Sequence, residues 1–290
     1  MPKTKEERTE RRARQQQLRK SRNSQGCDKL IGIYETHIVP RMNDIDGERR
    51  KELIKHSLEL VKTLETVLRC SDASIKETRL QELSDLLRER YYKNKEEEME
   101  GVKRSITPRP PFTVILEMGQ RTLQGNEQNL QQWLQTVYRE SRLQNNKENP
   151  LSARVFCRVY RQAGSERKYW GANVGAFRFN KPLVNQYVEN LKQAHFHKDV
   201  NDALNSVQND TITQTVDLPE RVGCSAFKYG DGNNVFKNFK TVAPCKRCKL
   251  MYPGVIFDPD HPSTFRYDKL YPWGRCAEHY AVSKFLHDTD

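Results

Sequence analysis

Pro244-Cys245-Lys246-Arg247-Cys248 and, further on, Trp273-Gly274-Arg275-Cys276-Ala277-Glu278-His279 are the two stretches on which the reading of this chain turns. The first follows a run, Val235 to Val242, whose composition predicts a strand, and proline suits the first turn of a helix. Cys245 and Cys248 are therefore expected near the N-terminus of a short helix. From Cys276 onward Ala277, Tyr280, Ala281, Lys284 and Phe285 repeat at helical spacing, which puts Cys276 and Glu278 in the first turn of a second helix. Gly274 supplies a tight entry to it. The sequence thus predicts two helix N-termini that carry thiols, the first of them entered from a strand, within a mixed architecture of strands and helices.

Thiols at Cys-x-x-Cys spacing bind one metal from a single turn, and Cys276 offers a further ligand. Helix dipoles favour thiolates at N-termini, and Lys246, Arg247, Lys249 and Arg275 add positive charge beside the sulfurs. Zn2+ is the ion expected. Two readings follow from the same residues. With Cys245, Cys248 and Cys276 as ligands, one position on zinc is open, and Glu278 stands beside it unligated, free to handle protons. With His279 as a fourth ligand, Cys245-x2-Cys248, 27 residues and Cys276-x2-His279 make a closed structural site, and Glu278 becomes a surface carboxylate.

The Pro-Cys-x-x-Cys segment resembles a zinc motif of the cytidine-deaminase-like superfamily, and Gly274-Arg275-Cys276-Ala277-Glu278 is similar to the other zinc motif in its bacterial toxin-type members. Uncharacterised animal proteins that end in Gly-x-Cys-Ala-Glu sequences share the likeness, which covers about residues 230 to 290. The resemblance implies zinc held by Cys245, Cys248 and Cys276, with Glu278 moving protons between the attacking water and the departing amine. It implies as substrate an aminated nucleobase, a nucleoside or a nucleic acid. The superfamily places its Cys-Ala-Glu helix first, whereas this chain places it second, so the implied fold is a permuted one. Geometry rather than chain order makes a site.

Upstream, Leu30, Ile31, Ile33 and Tyr34 have helical spacing that ends at Pro40. Leu53, Ile54, Leu58, Val61, Leu64, Val67 and Leu68 form one stripe. Ser74-Ile75-Lys76-Glu77 reads as a capping box ahead of Leu80, Leu83, Leu86 and Leu87. A helical region over 28–104 is expected, with a protein partner for it as an alternative to simple core packing. Thr107-Pro108-Arg109-Pro110-Pro111 is stiff and extended, and marks a domain boundary. Beyond it, over 108–290, Phe112 to Met118 reads as a buried strand, and Leu130, Trp133, Leu134, Val137 and Tyr138 as a helix. Val155, Cys157 and Val159 alternate as a strand, with Tyr169 to Phe177 as its partner and Thr211 to Val216 as a further strand. Leu183, Val184, Tyr187, Val188 and Leu191 make another helical face. The fold class is α+β or α/β: an N-terminal helical bundle followed by a mixed zinc-binding domain.

The chain has 290 residues and a net charge of +12, and half of that charge lies in a basic arm at 1–27, expected to be disordered. Such arms attract phosphates, serve as nuclear-import signals or simply solubilise. Charged residues are 30% of the chain and the mean hydropathy is −0.90, so a membrane span is not expected. The basic start lacks the apolar core of a secretory signal, and seven scattered cysteines do not suit a secreted disulfide framework. An intracellular, cytoplasmic or nuclear protein is the expectation. Tyr252, Phe257, Tyr267, Tyr271 and Trp273 crowd the motif segment and either stack on a base or pack the core. His195 and His197 read as exposed polar residues, and no phosphate-binding loop or metalloprotease motif is present.

Overall fold

Glu, Arg and Gln fill the first twenty residues, and no proline or glycine lies between Lys3 and Gly26. These are strong helix formers. In the computed structural model they accordingly form α1 (Lys5–Ile33), in place of the disordered arm expected there. Residues 6–18 are exposed along α1, whereas Leu30, Ile31 and Ile33 near its end are buried. The structure describes residues 5–289 apart from 43, 46, 71–77, 124–125, 144–148, 163–166, 175–180, 209–210, 229–238 and 261–272.

Pro40 was expected to break the helix, yet the backbone stays helical across it. A π turn over Tyr34–Ile38, in which the Val39 N–H bonds to the Tyr34 carbonyl, leads into α2 (Val39–Met42). The wider turn alters the bonding ladder just where proline can donate nothing. Next come α3 (Gly47–Cys70), which buries Leu53, Leu58, Val61, Leu64, Val67 and Leu68, and α4 (Thr78–Tyr91), which buries Leu80, Leu83 and Leu87. The capping box at Ser74 lies outside the described residues. Two more helices follow, α5 (Glu96–Ser105) and α6 (Pro111–Thr122).

The last of these corrects the strand expected from Phe112 to Met118. Pro111 occupies the first helical position, and every residue from it to Gly119 is buried, so Phe112 to Met118 reads as one mostly apolar run although Thr113 and Glu117 fall one helical turn apart. Arg109 just before it is buried. Its Nη2 lies 2.7 Å from Glu59 Oε2 and 2.5 Å from Glu117 Oε2, and its Nε donates to Glu59 Oε1. This network draws the proline-rich segment into the helical unit, so the expected boundary at Thr107–Pro111 falls inside it. That unit comprises Met1–Thr122, Thr136–Ser152 and Phe177–Leu183; a second comprises Leu123–Gln135, Ala153–Ala176 and Val184–Asp290. Helix α7 (Glu127–Ser141) buries Leu130, Trp133, Leu134, Val137 and Tyr138, as its spacing predicted.

The second unit holds a five-stranded sheet. From β1 onward the elements run β1 (Val155–Arg161), β2 (Lys168–Ala172), α8 (Lys181–Ala194), α9 (Lys198–Asn205), β3 (Val222–Lys228), β4 (Lys240–Val242), α10 (Lys246–Met251), β5 (Val255–Asp258) and α11 (Ala277–His287). The protein is thus mixed α+β. β1 pairs antiparallel with β2 on one side and with β3 on the other. The remaining edge of β3 is shared: β5 runs parallel beside Val222–Ser225, and β4 antiparallel beside Ala226–Lys228. The chain leaves this edge after β4, turns through α10 and rejoins the same strand as β5.

Strand alternation places Cys157, Val159, Tyr169, Gly171, Cys224 and Ala226 on one face of the sheet. α11 packs there. A Cβ on Gly171 would fall 2.2 Å from the Ala277 carbonyl oxygen and 2.9 Å from the Ala281 nitrogen, so only glycine admits the helix backbone at this depth. Tyr169 meets Phe285 edge to face, with centroids 5.4 Å apart. The strand expected at Thr211 to Val216 does not form. Thr211 makes an isolated bridge with Gln208, and the Val216 N–H donates to the Met251 carbonyl. Of the expected strand Val235 to Val242, the described part with strand structure is β4. Among the described residues, no helix is long and apolar enough to cross a membrane.

Candidate metal centre

The two motifs meet as a pair of helix caps. Cys245 is the N-cap of α10, and its sulfur accepts the Cys248 N–H at 3.4 Å, as a capping side chain does. Cys276 is the N-cap of α11, set up by Gly274 at φ +85°, a left-handed conformation in which a side chain would also strike Val188. Cys245 Sγ lies 3.5 Å from Cys248 Sγ and 3.7 Å from Cys276 Sγ, and all three sulfurs lie within 4.8 Å of one another. Among the described residues this is the one group of three or more His, Cys, Asp or Glu side chains placed to share an ion.

The donor set fits zinc. Sulfurs about 2.3 Å from a tetrahedral ion stand about 3.8 Å apart, close to the separations seen. Without a cation the cluster is electrostatically awkward. Hydrogen-bonding contacts with the sulfurs of Cys248 and Cys276 drive the Cys245 thiol far down. The same contacts, together with burial, hold Cys248 well above the ordinary thiol range. Cys276 is likewise raised, with its contact to Cys245 as the leading cause. One thiolate and two thiols is therefore the comfortable state of the bare site, and a divalent ion is what stabilises three thiolates.

Glu278 follows in the first turn of α11 and is buried. Burial, together with the charge on Cys245, raises its carboxyl to about 7, against hydrogen bonds from its own backbone N–H and the Cys248 thiol. The side chain thus addresses the sulfur cluster without belonging to the group of three. His279 does not belong to it either. Its Nδ1 lies 2.6 Å from the Tyr252 hydroxyl, Phe196 packs against its ring, and burial lowers it to about 4, so the ring is neutral.

The surrounding cations are mostly engaged. Lys249 Nζ holds Asp260 at 2.5 Å, Arg275 donates to the Val174 carbonyl, and the Arg247 guanidinium lies 4.6 Å above the Trp273 ring. Of the crowded aromatics, Tyr252 and Phe257 are core residues, Trp273 is half-buried, and Tyr267 and Tyr271 lie outside the described residues. Beneath the site, Cys157 Sγ approaches Cys224 Sγ to 3.2 Å, a proximity that isolated cysteines in the sequence gave no reason to expect. Its signal was the alternation Val222, Cys224, Ala226, which marks β3. His197, expected to be exposed, is buried instead and caps α9 by accepting the Asp199 N–H.

No family model matches the chain, and no curated protein and no solved structure matches it.

Proposed function

We propose that this protein is a zinc-dependent hydrolase with deaminase-like chemistry, acting on the amino group of a nucleobase, free or within a nucleoside or nucleic acid. The observation that carries the reading is the division of labour in the motif segment. Three sulfurs converge at two helix N-termini, Glu278 is buried against them, and His279 is turned to Tyr252. Cys245, Cys248 and Cys276 would hold the ion, which supplies Lewis-acid activation of water when bound. Glu278 would accept the proton of that water at its carboxylate and return it to the departing amine.

The likeness of the two motifs to those of the cytidine-deaminase-like superfamily supports this reading. α10 arises between two strands on one edge of β3, α11 lies across β1 and β2, and the sulfurs meet. Thiol ligands suit a reducing, intracellular compartment. The basic α1 suits nucleic acid as substrate or partner.

The test is release of ammonia by zinc-loaded protein from cytosine, adenine and guanine compounds supplied as bases, nucleosides and single-stranded oligonucleotides. Ammonia from at least one substrate, lost in Glu278→Gln, is the expected result. Stoichiometric zinc with no ammonia from any of them would make the site a structural module for protein or nucleic-acid interaction.

A further inference from the structure

Tyr252 stands four residues beyond Cys248, and His279 three beyond Cys276. The first is the C-cap of α10, its N–H donating to the Cys248 carbonyl at 3.0 Å; the second lies in the first turn of α11. The 2.6 Å hydrogen bond between them therefore joins the end of one cysteine-bearing helix to the start of the other. Both side chains are almost wholly buried, Tyr252 at 0% and His279 at 1% exposure. Water therefore offers neither group an easy substitute, and breaking the bond strands two polar atoms. The Phe196 ring, edge-on to His279 at 6.3 Å, limits where the imidazole can turn.

We infer that the Tyr252–His279 hydrogen bond is a strut that preorganises the three-cysteine site, holding α10 and α11 at the spacing that brings Cys276 to Cys245 and Cys248. The inference rests on the metal reading proposed above and assigns His279 a role other than ligand or bystander. Two of the three sulfurs come from α10 and one from α11, so the set is complete only when the helices keep their relative position. α10 has six residues and little stiffness of its own. Bonds made directly to metal ligands commonly set affinity by about 10- to 100-fold, and a bond that sets the spacing of the ligands is expected to act within that range.

Zinc affinity is measured on the full-length chain by competition with a chromophoric chelator, for wild type, Tyr252→Phe, His279→Leu, His279→Asn and the Tyr252→Phe/His279→Leu pair. Tyr252→Phe and His279→Leu should each weaken binding about 10- to 100-fold. The pair should lose no more than the worse single variant, because one shared bond is removed once. His279→Asn, whose amide oxygen can stand where Nδ1 stood, should recover most of the affinity. Cobalt substitution adds a spectroscopic check: thiolate-to-cobalt absorption should retain its position in Tyr252→Phe and appear only at higher cobalt concentration. A wild type that binds zinc beside a Tyr252→Phe that binds it equally well overturns the strut alone, as do losses that multiply in the pair. A wild type that takes up no zinc overturns the metal reading and the strut with it.

Discussion

Replacing Arg109 with leucine should unfold the helical unit more easily at neutral pH than in acid, and the size of the effect follows from its contacts. Arg109 is buried between Glu59 and Glu117, which are buried too, and His56 Nδ1 adds a contact of 3.1 Å to Glu59. Burial alone would raise the Glu59 carboxyl; Arg109 and His56 override it and bring the group from 4.5 down to about 2. That displacement is worth about 3 kcal/mol. Its folded value is depressed, so the contribution is fully present above about pH 4.5 and is lost as pH falls toward 2. Arg109→Leu leaves two carboxylates buried without their cation and should cost about 3–5 kcal/mol at pH 7. The cost should shrink below pH 4.5, where both carboxyls can take up protons. Urea unfolding followed by far-ultraviolet circular dichroism at pH 7 and pH 4 measures both numbers. A loss below about 1 kcal/mol at pH 7, or the same loss at both pH values, would refute the view that this network holds the proline segment in place.

The remaining predictions concern the sheet and the site. Gly171→Ala puts a methyl group against the Ala277 carbonyl and should destabilise by about 1–3 kcal/mol, weakening zinc binding as α11 shifts; thermal melts and chelator competition read the two effects. Because Cys248 and Cys276 are raised and must lose their protons to bind metal, zinc affinity should fall by about 100-fold for each pH unit lowered through neutrality. Calorimetry in buffers of different ionisation heat should count about two protons released per zinc, and none released would contradict the charge state drawn for the bare cluster. Cys157→Ala should leave zinc stoichiometry unchanged, since Cys157 is outside the group of three; loss of the metal would show that the lower sulfur pair takes part.

Local chemistry made the cysteine triad legible in the sequence, and long-range chemistry hid most of the rest. Cys-x-x-Cys after proline and a cysteine after Gly-Arg each announce a helix cap from neighbouring residues alone, and the caps form as those residues require. The amphipathic stripes of α3 and α7 are legible for the same reason, since one face is buried and one is not. α6 defeats that logic by being buried on every side. The strand Val222–Lys228 contains Gly223, a poor strand former. Its place is fixed by the Tyr160 ring, which lies where a side chain at 223 would go. β5 has four residues, and its partner lies some thirty positions upstream. Cys276-x-x-His279 offered two chemistries at equal sequence distance, and what turns His279 to Tyr252 is a side chain 27 residues away. Spacing within a motif reports which atoms can reach a metal; only the fold reports which of them has another partner.

The proposed site has three cysteines holding one zinc, with His279 off the metal. Zinc content of the purified chain at saturating metal, measured by elemental analysis beside the protein concentration, tests it in wild type, His279→Ala and Cys276→Ser. The expected result is about one zinc in wild type, about one still bound in His279→Ala though more weakly, and its loss in Cys276→Ser. A His279→Ala protein empty at saturation, while Tyr252→Phe stays full, would make the histidine a fourth ligand and close the site to catalysis.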